Sequence, residues 1–127
     1  MCQKLINTAR KYINTDNKNL HVSILTHKNK IIEVKGNNYN KTDSFGVYYK
    51  YQYGYIHSEL AVIKAARFYK HLDKCTLYNF RFSRKGLGTL LSMPCVQCMN
   101  LINTFGIKEV IYTTGYGFGK LINGNRH

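Results

Sequence analysis

Two short segments decide how the chain reads: Tyr55-Ile56-His57-Ser58-Glu59 and, further on, Pro94-Cys95-Val96-Gln97-Cys98. One imidazole and two thiolates make three zinc ligands and leave a fourth position for water, the mark of a catalytic rather than a structural site. Zinc lowers the pKa of such a water towards neutrality. Glu59 stands two residues after His57, within reach to relay protons. Pro94 is the only proline in the chain and directly precedes Cys95. Proline suits the opening turn of a helix, and Cys95 and Cys98, three apart, then share a face of that turn. His57 is expected to begin a second helix, because Leu60, Ala61, Ala65 and Phe68 follow at helical spacing. Helix N-termini stabilise thiolates. A lone C-x-x-C carries little, but the full combination is specific.

The rest of the chain supplies a frame. Residues 4–14 form an amphipathic helix with an apolar stripe of Leu5, Ile6, Ala9, Tyr12 and Ile13. Leu20, Val22 and Ile24 alternate with His21 and Ser23 as a first strand. Lys28-Asn29 is a two-residue hairpin turn leading to a second strand, Ile31 to Lys35. His21 and His27 read as ordinary strand or turn residues with no metal role. The long connection from Gly36 to Ile56 holds Tyr39, Phe45, Tyr48, Tyr49, Tyr51, Tyr53 and Tyr55 among Lys41 and Lys50. This pattern suits either stacking on unpaired bases beside a phosphate track or an extended segment packed on the domain. The first zinc helix should run over 57–72, with Lys64, Arg67, Lys70 and His71 on its solvated side. A third strand follows over Cys75 to Phe82, with Thr76, Tyr78, Phe80 and Phe82 on one face. The second zinc helix, 95–105, ends at Gly106 as a C-cap. The fourth strand, Glu109 to Thr113, should lie parallel to the third. The tail, 115–122, gives either a short fifth strand or a flap near the site.

Composition bounds the class. The 127 residues, 44% of them hydrophobic, fit a single domain over 1–127 with its own core. No apolar run approaches a membrane span, and the N-terminus lacks the apolar core of a signal peptide. Four cysteines without an export signal point to a reducing, cytoplasmic setting. Cys2 and Cys75 are left as a free thiol and a small buried residue. Nineteen Lys and Arg against six Asp and Glu give a net charge of +13, which points to nucleic acid as a partner. The opposing reading is the codon bias of an AT-rich genome.

The order helix, hairpin, H-x-E helix, strand, P-C-x-x-C helix, strand resembles the cytidine deaminase-like fold, from about Leu20 to Thr113. The resemblance implies an α/β fold, a three-layer α/β/α sandwich on a mixed sheet of four to five strands, with one zinc at the N-termini of two helices. It implies His57, Cys95 and Cys98 as ligands and Glu59 as the proton shuttle between water, the ring nitrogen and the leaving ammonia. It also implies substrate contacts from Asn38, in a G-x-N context, and from Ser58 and Ser92. Gly36-Asn37-Asn38 through Lys41-Thr42 looks like the small deaminases of phage genomes, which would place the protein in a host cytoplasm. Met93 stands where tRNA adenosine deaminases carry an acidic residue, and the long connection lacks the proline and cysteine usual in deoxycytidylate deaminases. Tyr55, Tyr112 and Tyr116 resemble the aromatics with which polynucleotide deaminases hold an unpaired base. The expected activity is therefore cytosine-to-uracil deamination in single-stranded nucleic acid, DNA rather than RNA, by a monomer. Three alternatives remain: a free cytidine or deoxycytidine nucleotide as substrate, an adenosine deaminase acting on RNA, or a non-catalytic nucleic-acid-binding module that zinc stabilises.

Overall fold

The computed structural model describes residues 3–13, 20–42, 55–83 and 89–122, with the side chains of 38–42 and 55–56 outside that description. The chain order is α1 (Gln3–Lys11), β1 (Leu20–His27), β2 (Lys30–Gly36), β3 (Asn38–Thr42), β4 (Tyr55–Ile56), α2 (Ser58–Ala66), a 3-10 turn (Leu72–Lys74), β5 (Thr76–Phe82), α3 (Val96–Thr104), β6 (Glu109–Thr113) and β7 (Phe118–Ile122). Five strands form one mixed sheet in the order β2-β1-β5-β6-β7, and β3 pairs with β4 as a separate ribbon. β5 and β6 run parallel, while β2, β1 and β5 alternate in direction. The five-strand mixed sheet meets the expectation of four to five strands, and the tail forms β7 antiparallel to β6.

Two apolar layers explain why β1 and β5 are hydrophobic on both faces. Leu20, Val22, Ile24, Phe80 and Phe82 pack against Leu5 and Ala9 of α1. Leu25, Leu77 and Val110 face the other way, against Leu60, Ile63, Leu101 and Ile102 of α2 and α3. Period-2 alternation sends successive residues of a strand to opposite faces, so a strand covered twice reads as a near-continuous apolar run. The result is the α/β/α sandwich, with the two zinc-motif helices on one side of the sheet.

Local signals behave as their chemistry requires. Lys28 and Asn29 take φ of 53° and 65°, the paired positive values of a type I′ hairpin turn. Gly106 takes φ 72°, its N–H bonds Asn103 O, and the Ile107 N–H bonds Ile102 O. These are the two bonds of a Schellman C-cap. Gly119 stands beneath Tyr112, whose ring atoms lie 2.3–2.6 Å from where a Cβ would sit.

Several expectations need correction. The helix expected over 57–72 ends at Ala66. Arg67 and Phe68 turn away, and Phe68 is 86% exposed with the Arg67 guanidinium 4.6 Å above its ring. Leu60, Val62, Ile63 and Ala66 are the buried residues of α2, and Ala65 faces solvent. The buried face is wide because α2 packs both on β1 and β2 of the sheet and on α3 beside it, so a single stripe misjudges it. Tyr12, assigned to the apolar stripe of α1, is half-exposed beyond the helix end. β1 continues to His27 because its register with β5 runs on through Thr26↔Thr76. The connection from Gly36 to Ile56 contains the β3–β4 ribbon, while the tyrosines from Tyr48 to Tyr53 lie outside the described residues. Among the described residues no helix is long and apolar enough to cross a membrane.

Candidate active site

His57 is the N-cap of α2 and Cys95 the N-cap of α3, both with extended backbone. Pro94 thus stands one residue before the cap rather than inside the first turn, and is buried there. Cys98 lies one turn into α3 and is fully buried. The helices flank one sheet and present their N-termini to the same place. One ligand atom from each of His57, Cys95 and Cys98 lies within 4.8 Å of the other two, and His57 Nδ1 is 3.8 Å from Cys98 Sγ. Tetrahedral zinc with Zn–S of about 2.3 Å and Zn–N of about 2.0 Å needs ligand atoms roughly 3.5–3.8 Å apart. The donor set fits in number, type and spacing. Its chemistry fits as well. Hydrogen bonding from Cys98 and His57 pulls the Cys95 thiol down to about 4, and the contact with Cys95 raises His57 above its ordinary value. A thiolate is thus favoured where a metal ligand must be one.

Glu59 follows on the first turn of α2 and is only 5% exposed. Burial pushes its carboxyl above the ordinary carboxylate range. A hydrogen-bond chain holds it. Ser23 Oγ lies 2.7 Å from Asn79 Oδ1 and 2.8 Å from Ser58 Oγ, and Ser58 Oγ lies 3.1 Å from Glu59 Oε1. Ser58 Oγ donates to Glu59 Oε1 and Ser23 Oγ donates to Asn79 Oδ1, with the two serine hydroxyls in hydrogen-bond contact between them. Asn79 closes the loop, its Nδ2 donating to Glu59 Oε2 at 3.3 Å and to Ser92 O at 2.6 Å.

Ser92 ties the ligand turn to the sheet. Its Oγ donates to Asn79 O at 2.7 Å and accepts from Thr113 N at 2.8 Å, and its N–H donates to Thr113 O. The Ser92 and Ser58 hydroxyls are therefore engaged by the scaffold, though both residues line the cleft beside the ligands. That cleft, about 240 Å³, is also lined by His21, Asn79, Arg81, Leu91 and Met93. His21, read in sequence as an ordinary strand residue, is a wall of the site. Its signal was available: on β1 it stands two residues from Ser23, on the same face. Of the other expected substrate contacts, Tyr112 lies across Gly119 and Tyr116 is wholly exposed at the β6–β7 turn. The Asn38 and Tyr55 side chains lie outside the described residues. Asn37 is a scaffold residue: its Oδ1 accepts from His21 N at 3.2 Å and its N–H donates to His21 O.

The cytidine and deoxycytidylate deaminase zinc-binding region, as a family, matches residues 1–114. The chain belongs to this family of zinc-dependent deaminases. Among curated proteins there is no match. In this deaminase one zinc is held by His57, Cys95 and Cys98. Cys75 stays out of the chemistry, buried, with its thiol pushed up to about 11.

The wall residue His21 carries a pH signature. Burial first, then Arg81 and His57, lower its pKa to about 4 from 6.5. As pH falls through 6.5 the unfolded chain takes up a proton that the folded one refuses, so stability falls with falling pH until about 4. Relative to a His21→Gln variant, the zinc-loaded deaminase should lose about 2–3 kcal/mol over that window and nothing above it. Urea unfolding of both proteins from pH 8 to pH 4 measures the difference, and parallel curves would show that His21 is not held neutral.

Proposed function

We propose that this deaminase converts cytosine to uracil in single-stranded nucleic acid, DNA in preference to RNA. The observation that carries the catalytic part is Glu59, a buried acid that lines the same cleft as the ligands His57 and Cys95 and is not itself one of the three-residue metal group. A zinc ion bound by His57, Cys95 and Cys98 supplies a water acidic enough to act as nucleophile at neutral pH. With the metal bound, Glu59 as a carboxylate would take one proton from the attacking water and deliver it to the ring nitrogen as the C4–O bond forms. It would then take the remaining proton of the new C4 hydroxyl and deliver it to the amine, which leaves as ammonia as the C4–N bond breaks and C4=O forms. Its raised pKa suits a group that must hold a proton and pass it on. Asn79 and Ser58 fix the carboxyl between these two transfers.

The polynucleotide part rests on the net charge of +13 and on the tyrosines interleaved with lysines before His57. A reducing, cytoplasmic setting and a monomeric state complete the proposal. A second reading, a free cytidine or deoxycytidine nucleotide as substrate, is favoured by the named members of the matched family. The test is to incubate zinc-loaded protein with a mixed-sequence single-stranded DNA, the matching RNA, and cytidine and adenosine nucleotides. Mass spectrometry reads the oxygen-for-NH change. Deamination of the oligonucleotides, DNA first and with steep loss as salt rises, is expected. Deamination confined to monomers would overturn the polynucleotide reading, and action on adenosine alone would overturn the choice of base.

A further inference from the structure

The zinc motif makes only one end of the cleft. Further out, His21 of β1 and Arg81 of β5 are direct cross-strand partners, and both line the cleft. Arg81 stands two residues beyond Asn79, which holds Glu59, and His21 two residues from Ser23, which closes the same hydrogen-bond chain. Two residues along a strand cover about 7 Å and return to the same face. The pair therefore sits one step out from the reacting end, on the scale that separates a pyrimidine ring from the phosphate on its sugar. The ion pair among the described residues is Lys120–Glu109, so among those residues no carboxylate pairs with Arg81, which lines the cleft. His21 beside it is held neutral and adds hydrogen-bonding capacity without competing charge. Leu91 and Met93, which also line the cleft, are apolar.

We propose that Arg81, with His21 beside it, is the phosphate-reading element of the cleft and makes the deaminase select a nucleoside phosphate over the bare nucleoside. The assignment rests on the deamination reading above. A guanidinium presents a planar fork that matches phosphate oxygens in pairs. The phosphate is either the monoester of a free nucleotide or the diester beside the target base in a strand.

The test measures kcat and KM on deoxycytidine, deoxycytidine monophosphate and a single-stranded oligodeoxynucleotide with one cytosine, using wild type, Arg81→Gln and Arg81→Lys. Arg81→Gln should raise KM for the phosphorylated substrates about 10–100-fold, against a change of at most about threefold on deoxycytidine, the scale of a charged hydrogen bond. Arg81→Lys should recover part of the loss, keeping the charge but not the fork. Zinc content in each protein reports an intact site. Equal losses on all three substrates, or none on the phosphorylated ones, would overturn the assignment. If wild type acts on the monophosphate and ignores the oligonucleotide, the strand reading fails while Arg81 stands. If nothing is deaminated, calorimetric binding of deoxycytidine and its monophosphate to Glu59→Gln protein, with and without Arg81→Gln, decides by the same ratio; equal affinities overturn it.

Discussion

Glu59→Gln is expected to bind zinc, fold as the wild type does, and lose deaminase activity by about 10²–10⁴-fold, the range typical of a positioned proton carrier. The amide keeps the size and shape of the carboxyl. Its Oε1 can accept from Asn79 Nδ2, and its Nε2 can donate to Ser58 Oγ, whose own hydroxyl proton then turns from residue 59 to Ser23. The hydrogen-bond chain through Ser58, Ser23 and Asn79 therefore stays closed. The amide cannot give up or regain a proton, so the relay stops. Stability should not fall with activity. A carboxyl whose folded-state pKa is raised costs stability at any pH above its unfolded value, and the cost fades as pH drops below it. Removing that acid leaves thermal unfolding at neutral pH at the wild-type temperature or above. Single-turnover kinetics, zinc content and a melting curve on the same preparation check all three points. Wild-type turnover in Glu59→Gln would remove Glu59 from the mechanism and move the protein towards the non-catalytic reading.

Cys98→Ala should abolish stoichiometric zinc binding. Cys98 is fully buried and shares its first helical turn with Cys95, so no neighbouring side chain can replace it without moving α3. Outer-shell changes around metal sites cost about 10–100-fold in affinity, and removing a direct ligand should exceed that range. Metal binding and folding share ligands in this site, so zinc should raise the wild-type melting temperature and a chelator should lower it. The variant should respond to neither. Metal analysis of dialysed protein and melting curves with and without chelator measure both effects. One zinc per chain retained in Cys98→Ala would mean that the ligand set is wrong.

The metal centre was legible because its ligands are few, chemically distinctive and close in sequence. His57 is separated from the cysteines by one strand and one helix, and Cys95 and Cys98 come from a single turn. The hairpin at Lys28-Asn29 and the cap at Gly106 were legible for a similar reason: each is decided by a few adjacent residues. The walls of the cleft were not. Arg81 reaches the site only because β5 pairs with β1 in a register that sets it against His21, and that pairing joins segments about 60 residues apart. Asn79 lies in a strand whose apolar run hides a polar position among Leu77, Phe80 and Phe82. The early end of α2 escaped because Phe68 continues the helical spacing while facing solvent.

The bonds around Ser92 bear on how this protein can change over generations. Leu90 N bonds Arg81 O, Thr89 Oγ1 bonds Thr114 O, and Ser92 is pinned to both Asn79 and Thr113 before the chain reaches Pro94. The return path is thus fastened to β5 and β6 at every step just ahead of the cysteines. A change of sequence ahead of Thr89 therefore reaches Cys95 only by breaking these bonds, and a lineage can vary what precedes them while the metal centre stays in register.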